Sequence, residues 1–369
     1  MKRLVLIGSG HPHLLLLERL TRERLPGVEV VLVSKGSTQL YSGMLSGCLA
    51  GMYPPEALQV ALPELARSAD ARLETSGAEA VDAAARRVRL GDGRELGYDV
   101  ASIDVGSASA ADDLPGVREL AVPLKPLDEA LSRLAQLPEG PLLVVGGGAA
   151  GVELVLCLQA RGAAPVTLVA REAEIPDGLS ARAQRLALRL LSRRGIVLHC
   201  DEEVEALVRS EEGLHRAQLR SGRALPFATC VWAAGPRPAP LLASCGAALD
   251  ADGYLAVTDT LESTSHRGLF AAGDCAGFVS GQRVPKAGVY AVREAPVLWH
   301  NVRARLLGEG ALREYRAQRG ALTLLNAGDG TALGSWHGVG VHGRAVLRVK
   351  DAIDRQWMRR FPRPGRSGR

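Results

Sequence analysis

The chain has few cysteines, and none sit where paired chemistry needs them. Cys48, Cys157, Cys200, Cys230, Cys245 and Cys275 include no CxxC and no CxxxxC spacing. They read as reduced, buried thiols, and no metal site is implied. A run of about 18 apolar residues is also missing, so nothing reads as a membrane span. The chain enters a strand at once, without an apolar h-region and cleavage site, which predicts a cytoplasmic protein. Excess charge is scarce as well. The net charge is +5, yet residues 344–369 hold nine Lys/Arg against Asp351 and Asp354, which is +7 and leaves about −2 elsewhere. The basic balance is a tail property, and it excludes a nucleic-acid surface spread over the whole molecule.

Glycine is what the chain has in abundance, 42 in 369 residues. That number fits many tight strand-to-helix turns. Two glycine-rich turns stand out. Gly8-Ser9-Gly10-His11-Pro12-His13 follows the apolar run Leu4 to Ile7, and Gly146 to Gly151 follows Leu142 to Val145. Each opens a βαβ unit of the length a dinucleotide fingerprint requires. A third element is Gly273-Asp274, inside Gly268 to Asp274. Two fingerprints with this third element predict two dinucleotides facing each other. Two or three domains are expected from the length.

Along the first unit the pattern predicts a strand over 2–7, a helix over 13–24 and a strand over 28–33. A loop around Gln39 to Leu45, a helix over 54–68, a hairpin at 88–98 and a strand from Val100 ending at the turn glycine Gly106 follow. In the second unit, strands at 142–145 and 165–169 flank a helix over 149–161. A hairpin-like stretch ends at Trp232 to Pro236. Strands at 321–326 and 331–337 precede a final helix.

The turn residues have distinct expected roles. Gly8 permits the sharp turn, Gly10 lets backbone approach a pyrophosphate, and the helix N-terminus supplies N–H donors and a positive dipole. His13 replaces the third glycine; with His11 it reads first as a helix-start residue. Ser34 and Lys35 stand where an acidic residue commonly holds the adenosine ribose. In the second turn Gly146, Gly148 and Gly151 are all present, followed by Glu153. Its second strand ends in Ala170 and Arg171. An arginine there suits a 2′-phosphate, so NADH and NADPH both stay open.

Taken together, these motifs resemble the FAD-dependent pyridine nucleotide-disulfide oxidoreductase superfamily. Within it the chain is similar to type II NADH dehydrogenase-like proteins and to the oxidoreductase module fused to selenophosphate synthase. Tyr41-Ser42-Gly43-Met44-Leu45, Ala234-Gly235, Pro285 to Arg293 and the segment 341–361 carry this likeness along with the glycine motifs. The resemblance implies an α/β fold: two Rossmann-like domains, for FAD and NAD(P), plus a small C-terminal α+β segment. Residues 1–112 and 240–308 would bind FAD, 113–239 NAD(P), and 309–369 would form the last segment. It also implies roles. Asp274, after Gly273, would hold the flavin ribityl or phosphate. Backbone N–H groups of Val289 and Tyr290 would face the flavin N1/O2 edge. Tyr41 would line the isoalloxazine, and Gly235 would let the nicotinamide arm pass.

The implied activity is hydride transfer from NAD(P)H to flavin N5, then electrons to a quinone or another small acceptor. Lys286, Tyr290, Glu294 and Tyr41 are the candidates around that acceptor. Where type II dehydrogenases carry glutamines, this chain has Ala291-Val292-Arg293-Glu294-Ala295. A dithiol relay is excluded, since the region beside the flavin offers only Cys48. An acceptor of sulfur or selenium chemistry, using Cys48 or Cys275, is an alternative; a non-catalytic nucleotide-binding role acting through a partner is another. The final helix places Val346, Val349, Ile353 and Trp357 in one stripe, widened by Met358 and Phe361. The stripe suits packing on its own domain or an anionic membrane surface, on the cytoplasmic face of the inner membrane. Residues 362–369 read as a disordered tail.

Overall fold

The computed structural model describes residues 1–109, 114–135, 139–163, 165–211 and 213–364. The expected boundary at 112/113 and the tail residues 365–369 lie outside the described residues.

Two five-stranded parallel sheets dominate, and they have the same plan. The first runs 269–271, 100–103, 2–7, 28–33 and 71–74 in spatial order; the second runs 121–123, 229–232, 142–145, 166–169 and 197–199. In each sheet the strand ahead of a glycine turn lies at the centre. Ile7 aligns with Val33 on one side and Ile103 on the other, and Val145 with Val169 and Trp232. These strands are short continuous apolar runs because both faces are covered, as parallel sheets require. Helix α1 (His11–Leu20) follows the first turn and α2 (Ala149–Ala160) the second. Helix α3 (Ala181–Arg193) lies later in the second unit, and α4 (Gly288–Leu307) packs beside α1. An antiparallel sheet of 323–326, 332–336 and 339–343 follows, covered by α5 (Arg344–Met358).

Several expected elements need correction. The helix expected over 54–68 is a 3-10 turn at Pro55–Leu58, a strand at Gln59–Ala61 and a helix only over Leu62–Ser68. Pro63 can sit in a first helical turn but not in an interior, and the strand gains backbone partners from 38–40. Helix α1 begins at His11, ahead of the expected residue 13, because Pro12 fits the first turn. The hairpin-like stretch is an antiparallel sheet of 204–208, 215–219 and 224–227, while 229–232 joins the parallel sheet. The start of the expected disordered tail is tied down: Ala61 N–H donates to Pro362 O at 2.9 Å.

The final helix departs furthest. Its buried positions are Lys350, Asp354, Trp357 and Met358, while Val349 and Ile353 are 50% and 44% exposed. The apolar stripe is therefore split. Charge lines part of the inner face, for a reason that lies in the site.

Candidate functional site

At the first turn, the end of α1 carries no side-chain cap. Its donors face Asp104, at the end of strand 100–103. Asp104 Oδ2 accepts the His13 N–H at 3.2 Å, and Asp104 O accepts that of Gly10 at 3.1 Å. A Cβ on Gly10 would lie 2.1 Å from Asp104 Oδ1, and one on Gly8 2.3 Å from Asp104 O. Asp104 was not foreseen, since a lone aspartate ending a strand carries no motif. It is 3% exposed, and burial raises its pKa well above the carboxylate range; the His13 N–H opposes this, while Glu294 and Asp274 reinforce it.

His13 holds the turn. Its Nδ1 is 2.7 Å from Gly8 O and its Nε2 is 2.8 Å from Ser102 Oγ. Burial lowers its pKa to about 4, so the ring is neutral. Since Gly8 O only accepts, Nδ1 carries the proton and Nε2 accepts from Ser102. His11 packs edge-on against Tyr41 and at a tilt against Trp357, with ring centroids 5.7 and 5.2 Å away. At the end of the second strand, Ser34 Oγ is 3.1 Å from Ser9 Oγ, which donates to Gln39 Oε1 at 2.6 Å. Lys35 is exposed.

Asp274 is anchored by residues that sequence reasoning missed. Its Oδ2 accepts from Lys125 Nζ at 2.7 Å and Ser107 Oγ at 2.6 Å. Burial alone would raise its pKa; Lys125, Ser107 and Lys286 together outweigh burial and hold it low. Glu294 Oε2 accepts the Gly273 N–H at 2.5 Å, while its Oε1 has no partner among the described residues. Burial pushes Glu294 up to about 7. Lys286 donates to Ala276 O and lies over the Tyr254 ring, 3.8 Å from its centroid. Of the two expected donors on α4, Tyr290 N–H is engaged by Ala287 O at 3.0 Å. That bond closes the first turn of the helix, and Val289 stands 36% exposed. Cys275 is fully buried and donates to Gly106 O at 3.3 Å.

The second turn is more open. Among the described residues nothing lies within 4 Å of a Cβ on Gly148, and none caps α2 through a side chain. Gly151 is a packing requirement: its Cβ would stand 1.9 Å from Gly146 O. Gly235 has φ +29. Arg171 is exposed and 3.4 Å from Glu172. Glu153 turns away toward α5: its Oε1 accepts the Asn326 N–H at 2.7 Å and lies 3.7 Å from Lys350 Nζ.

That contact explains the charged inner face of α5. Lys350 Nζ donates to Asp354 Oδ2 at 2.9 Å and Gly43 O at 2.7 Å, and Tyr41 OH donates to Asp354 Oδ1 at 3.0 Å. Burial alone would lower the Lys350 pKa; Glu153 and Asp354 outweigh it and raise it. The i, i+4 pair Lys350/Asp354 inside an apolar stripe was the available signal. Of the expected acceptor-side residues, Tyr41 shares His11 as a neighbour with Gly288 at the start of α4: the His11 ring centroid is 5.7 Å from that of Tyr41, and a Cβ on Gly288 would lie 3.3 Å from the His11 ring. Tyr41 belongs to the α5 contact, whereas Lys286 and Glu294 flank the Gly-Asp motif.

Two glycine turns, each opening an uncapped helix at the centre of a parallel sheet, form a double nucleotide site. Residues 2–295 match the pyridine nucleotide-disulphide oxidoreductase family. The chain belongs to that family. An NADH dehydrogenase-like protein of Mycobacterium tuberculosis (strain CDC 1551 / Oshkosh) is 29% identical over 75% of this chain and 73% of its own length. Among solved structures, sulfide:quinone oxidoreductase from Aquifex aeolicus matches with a TM-score of 0.80 at 18% identity, over 97% of this chain and 91% of that one. NDH2 from Plasmodium falciparum, in complex with NADH, matches with a TM-score of 0.78 at 12% identity, over 97% of each. At such identities the structural likeness speaks for the fold.

FAD and NAD(P)H are the cofactors of this oxidoreductase. The residues fit both. The open space over Gly148 would admit a phosphate at the α2 end. Beside the α1 end, the Trp357 indole N–H, buried in the wall formed with His11 and Tyr41, lacks an acceptor among the described residues. A buried donor without a partner beside a helix N-terminus suits an anionic ligand.

Proposed function

We propose that the protein is a flavin-dependent NAD(P)H dehydrogenase of the type II NADH dehydrogenase kind, passing electrons to a quinone. The observation that carries this reading is the pair of like sheets, each ending in an uncapped glycine-turn helix. The unit of residues 1–112 and 240–308 takes the flavin, and 113–239 the nicotinamide nucleotide. Bound FAD supplies the two-electron relay between donor and acceptor. The protein positions both partners, and for the first half-reaction positioning suffices. Asp274, fixed by Lys125 and Ser107, presents a carboxylate to the flavin chain. Lys350 lies on Gly43 O and pairs with Asp354, which holds the Tyr41 hydroxyl. Their surroundings raise the pKa of both groups, so this lysine and tyrosine would stay protonated and orient an acceptor by hydrogen bonds beside the Gly43 loop, while a reduced quinone would take its protons from solvent.

The acceptor side carries a second feature. Trp336, Val339, Val341, Val349 and Ile353 are each 44 to 56% exposed on the last sheet and α5, near the exposed Arg344 and Arg348. This apolar face with a basic border suits the surface of an anionic bilayer, where a lipid-soluble quinone resides. Among the described residues no helix is long and apolar enough to cross a membrane. A sulfur or selenium acceptor has less support, because burial raises the pKa of Cys275 and Cys48 and disfavours the reactive thiolate.

Anaerobic stopped-flow absorbance at 450 nm tests the reading. Purified protein is expected to bleach with NADH or NADPH and recover on adding a soluble quinone. Bleaching without recovery would remove the quinone; protein that carries flavin yet never bleaches would remove the dehydrogenase.

A further inference from the structure

Asp104 occupies an unusual place. Its carboxyl fills the crook of the first glycine turn, where it would meet a Cβ on Gly10 at 2.1 Å and one on Gly273 at 3.0 Å. It thus touches both the fingerprint and the Gly-Asp motif. It also takes the His13 N–H, one of the α1 donors that a bound diphosphate would use. A carboxylate and a diphosphate beside one helix end repel each other in a site closed to water.

The groups around Asp104 do not cancel that charge. From α1 comes His13, neutral and committed to Gly8 O and Ser102. From α4 comes Glu294, acidic, with one oxygen that has no partner among the described residues. From the Gly-Asp segment come Asp274 and the Cys275 thiol. Lys125 is bound to Asp274, and Lys286 to Ala276 O.

We propose that seating FAD is coupled to protonation of Asp104: the diphosphate binds only the neutral carboxyl, which takes one proton from solvent when it is ionised beforehand. This rests on the flavin reading of the first turn. The neutral acid turns an opposing charge into a hydrogen-bond donor. Asp104 is then a positioning residue for the cofactor, and flavin retention becomes sensitive to alkaline pH. The direction of its shift agrees, since burial favours the uncharged form.

The test uses the full chain stripped of flavin and titrated with FAD from about pH 5.5 to about pH 9, by flavin fluorescence. Above a break point the dissociation constant is expected to weaken about tenfold per pH unit, the slope for one linked proton. Asp104→Asn should flatten the slope and bind FAD more tightly than wild type at the alkaline end. Glu294→Gln should keep the slope. A flat wild-type profile overturns the proposal, as does an Asp104→Asn slope equal to wild type. Calorimetry of wild type in two buffers of different ionisation enthalpy counts the proton without any variant. About one proton taken up per FAD above the break is expected, and none overturns it. Failure to bind FAD at any pH would instead remove the flavin reading itself.

Discussion

The two glycine turns occupy the same place in like sheets, yet they are built differently. At the second turn, Gly151 lies bare against Gly146 O, and the space over Gly148 is open. At the first, the residue in the place of Gly151 is His13, and its ring bonds the matching carbonyl, Gly8 O, at 2.7 Å. The space beside Gly10 holds the Asp104 carboxyl. Both turns pack their first glycine against backbone, but at the third position one is fixed by close backbone packing and the other by a side-chain hydrogen-bond network. A backbone-packed turn has one solution and tolerates no Cβ. A network can be tuned by protonation. The second strands, by contrast, end alike, in Ser34-Lys35 and Ala170-Arg171.

The largest effect breaks the comparison by adding one methyl group to each turn. Gly151→Ala forces a Cβ against a backbone carbonyl, and should cost at least about 3 kcal/mol and abolish reduction by NAD(P)H. Gly10→Ala collides with a side chain instead, and should lose flavin. Adding Asp104→Ala should restore flavin to Gly10→Ala, whereas Gly151→Ala has no such partner. Flavin content and thermal melts read both; a double variant as empty as Gly10→Ala would equate the turns.

Next comes Glu294→Gln. The Glu294 pKa rises from 4.5 unfolded to about 7 folded. Its favourable contribution is therefore present below about pH 4.5 and lost as pH rises through about 7. The amide still accepts from Gly273 but does not ionise. The variant should gain up to about 3 kcal/mol over wild type above pH 7 and nothing below pH 4.5, in melts across pH. Parallel pH curves for the two proteins would refute the assignment.

His13→Gly restores the third glycine. It leaves Gly8 O and Ser102 Oγ without the ring, and should cost about 2 kcal/mol by denaturant unfolding. An unchanged midpoint would mean that the ring is not what fixes the turn. The smallest effect belongs to Arg171→Ala. It should weaken NADPH about tenfold, about 1.4 kcal/mol, and leave NADH unchanged, read from the half-saturation of flavin reduction. Equal weakening of both would assign Arg171 to something other than the 2′-phosphate.

Where the sequence was legible, it was local. The strands before both turns, α2, and the glycines of the second turn follow from apolar runs and spacing along the chain. The helix expected over 54–68 failed because the strand at 59–61 takes its pairing from 38–40, which no local pattern records. The inner face of α5 failed similarly. Lys350 and Asp354 look like a solvated pair along the chain, and only Glu153, Gly43 and Tyr41 from distant segments make their burial tolerable.

By itself, the sequence determined that two nucleotide-binding units exist, because glycine turns, apolar strands and helix starts are set by neighbours a few residues apart. The tertiary structure alone decided what surrounds those turns. Asp104 meets Gly10 across the sheet, Lys125 meets Asp274 across 149 positions of chain, and Lys350 meets Gly43 across 307. Charges and hydrogen bonds in a water-poor interior depend on distance in space, and a linear pattern does not carry that distance.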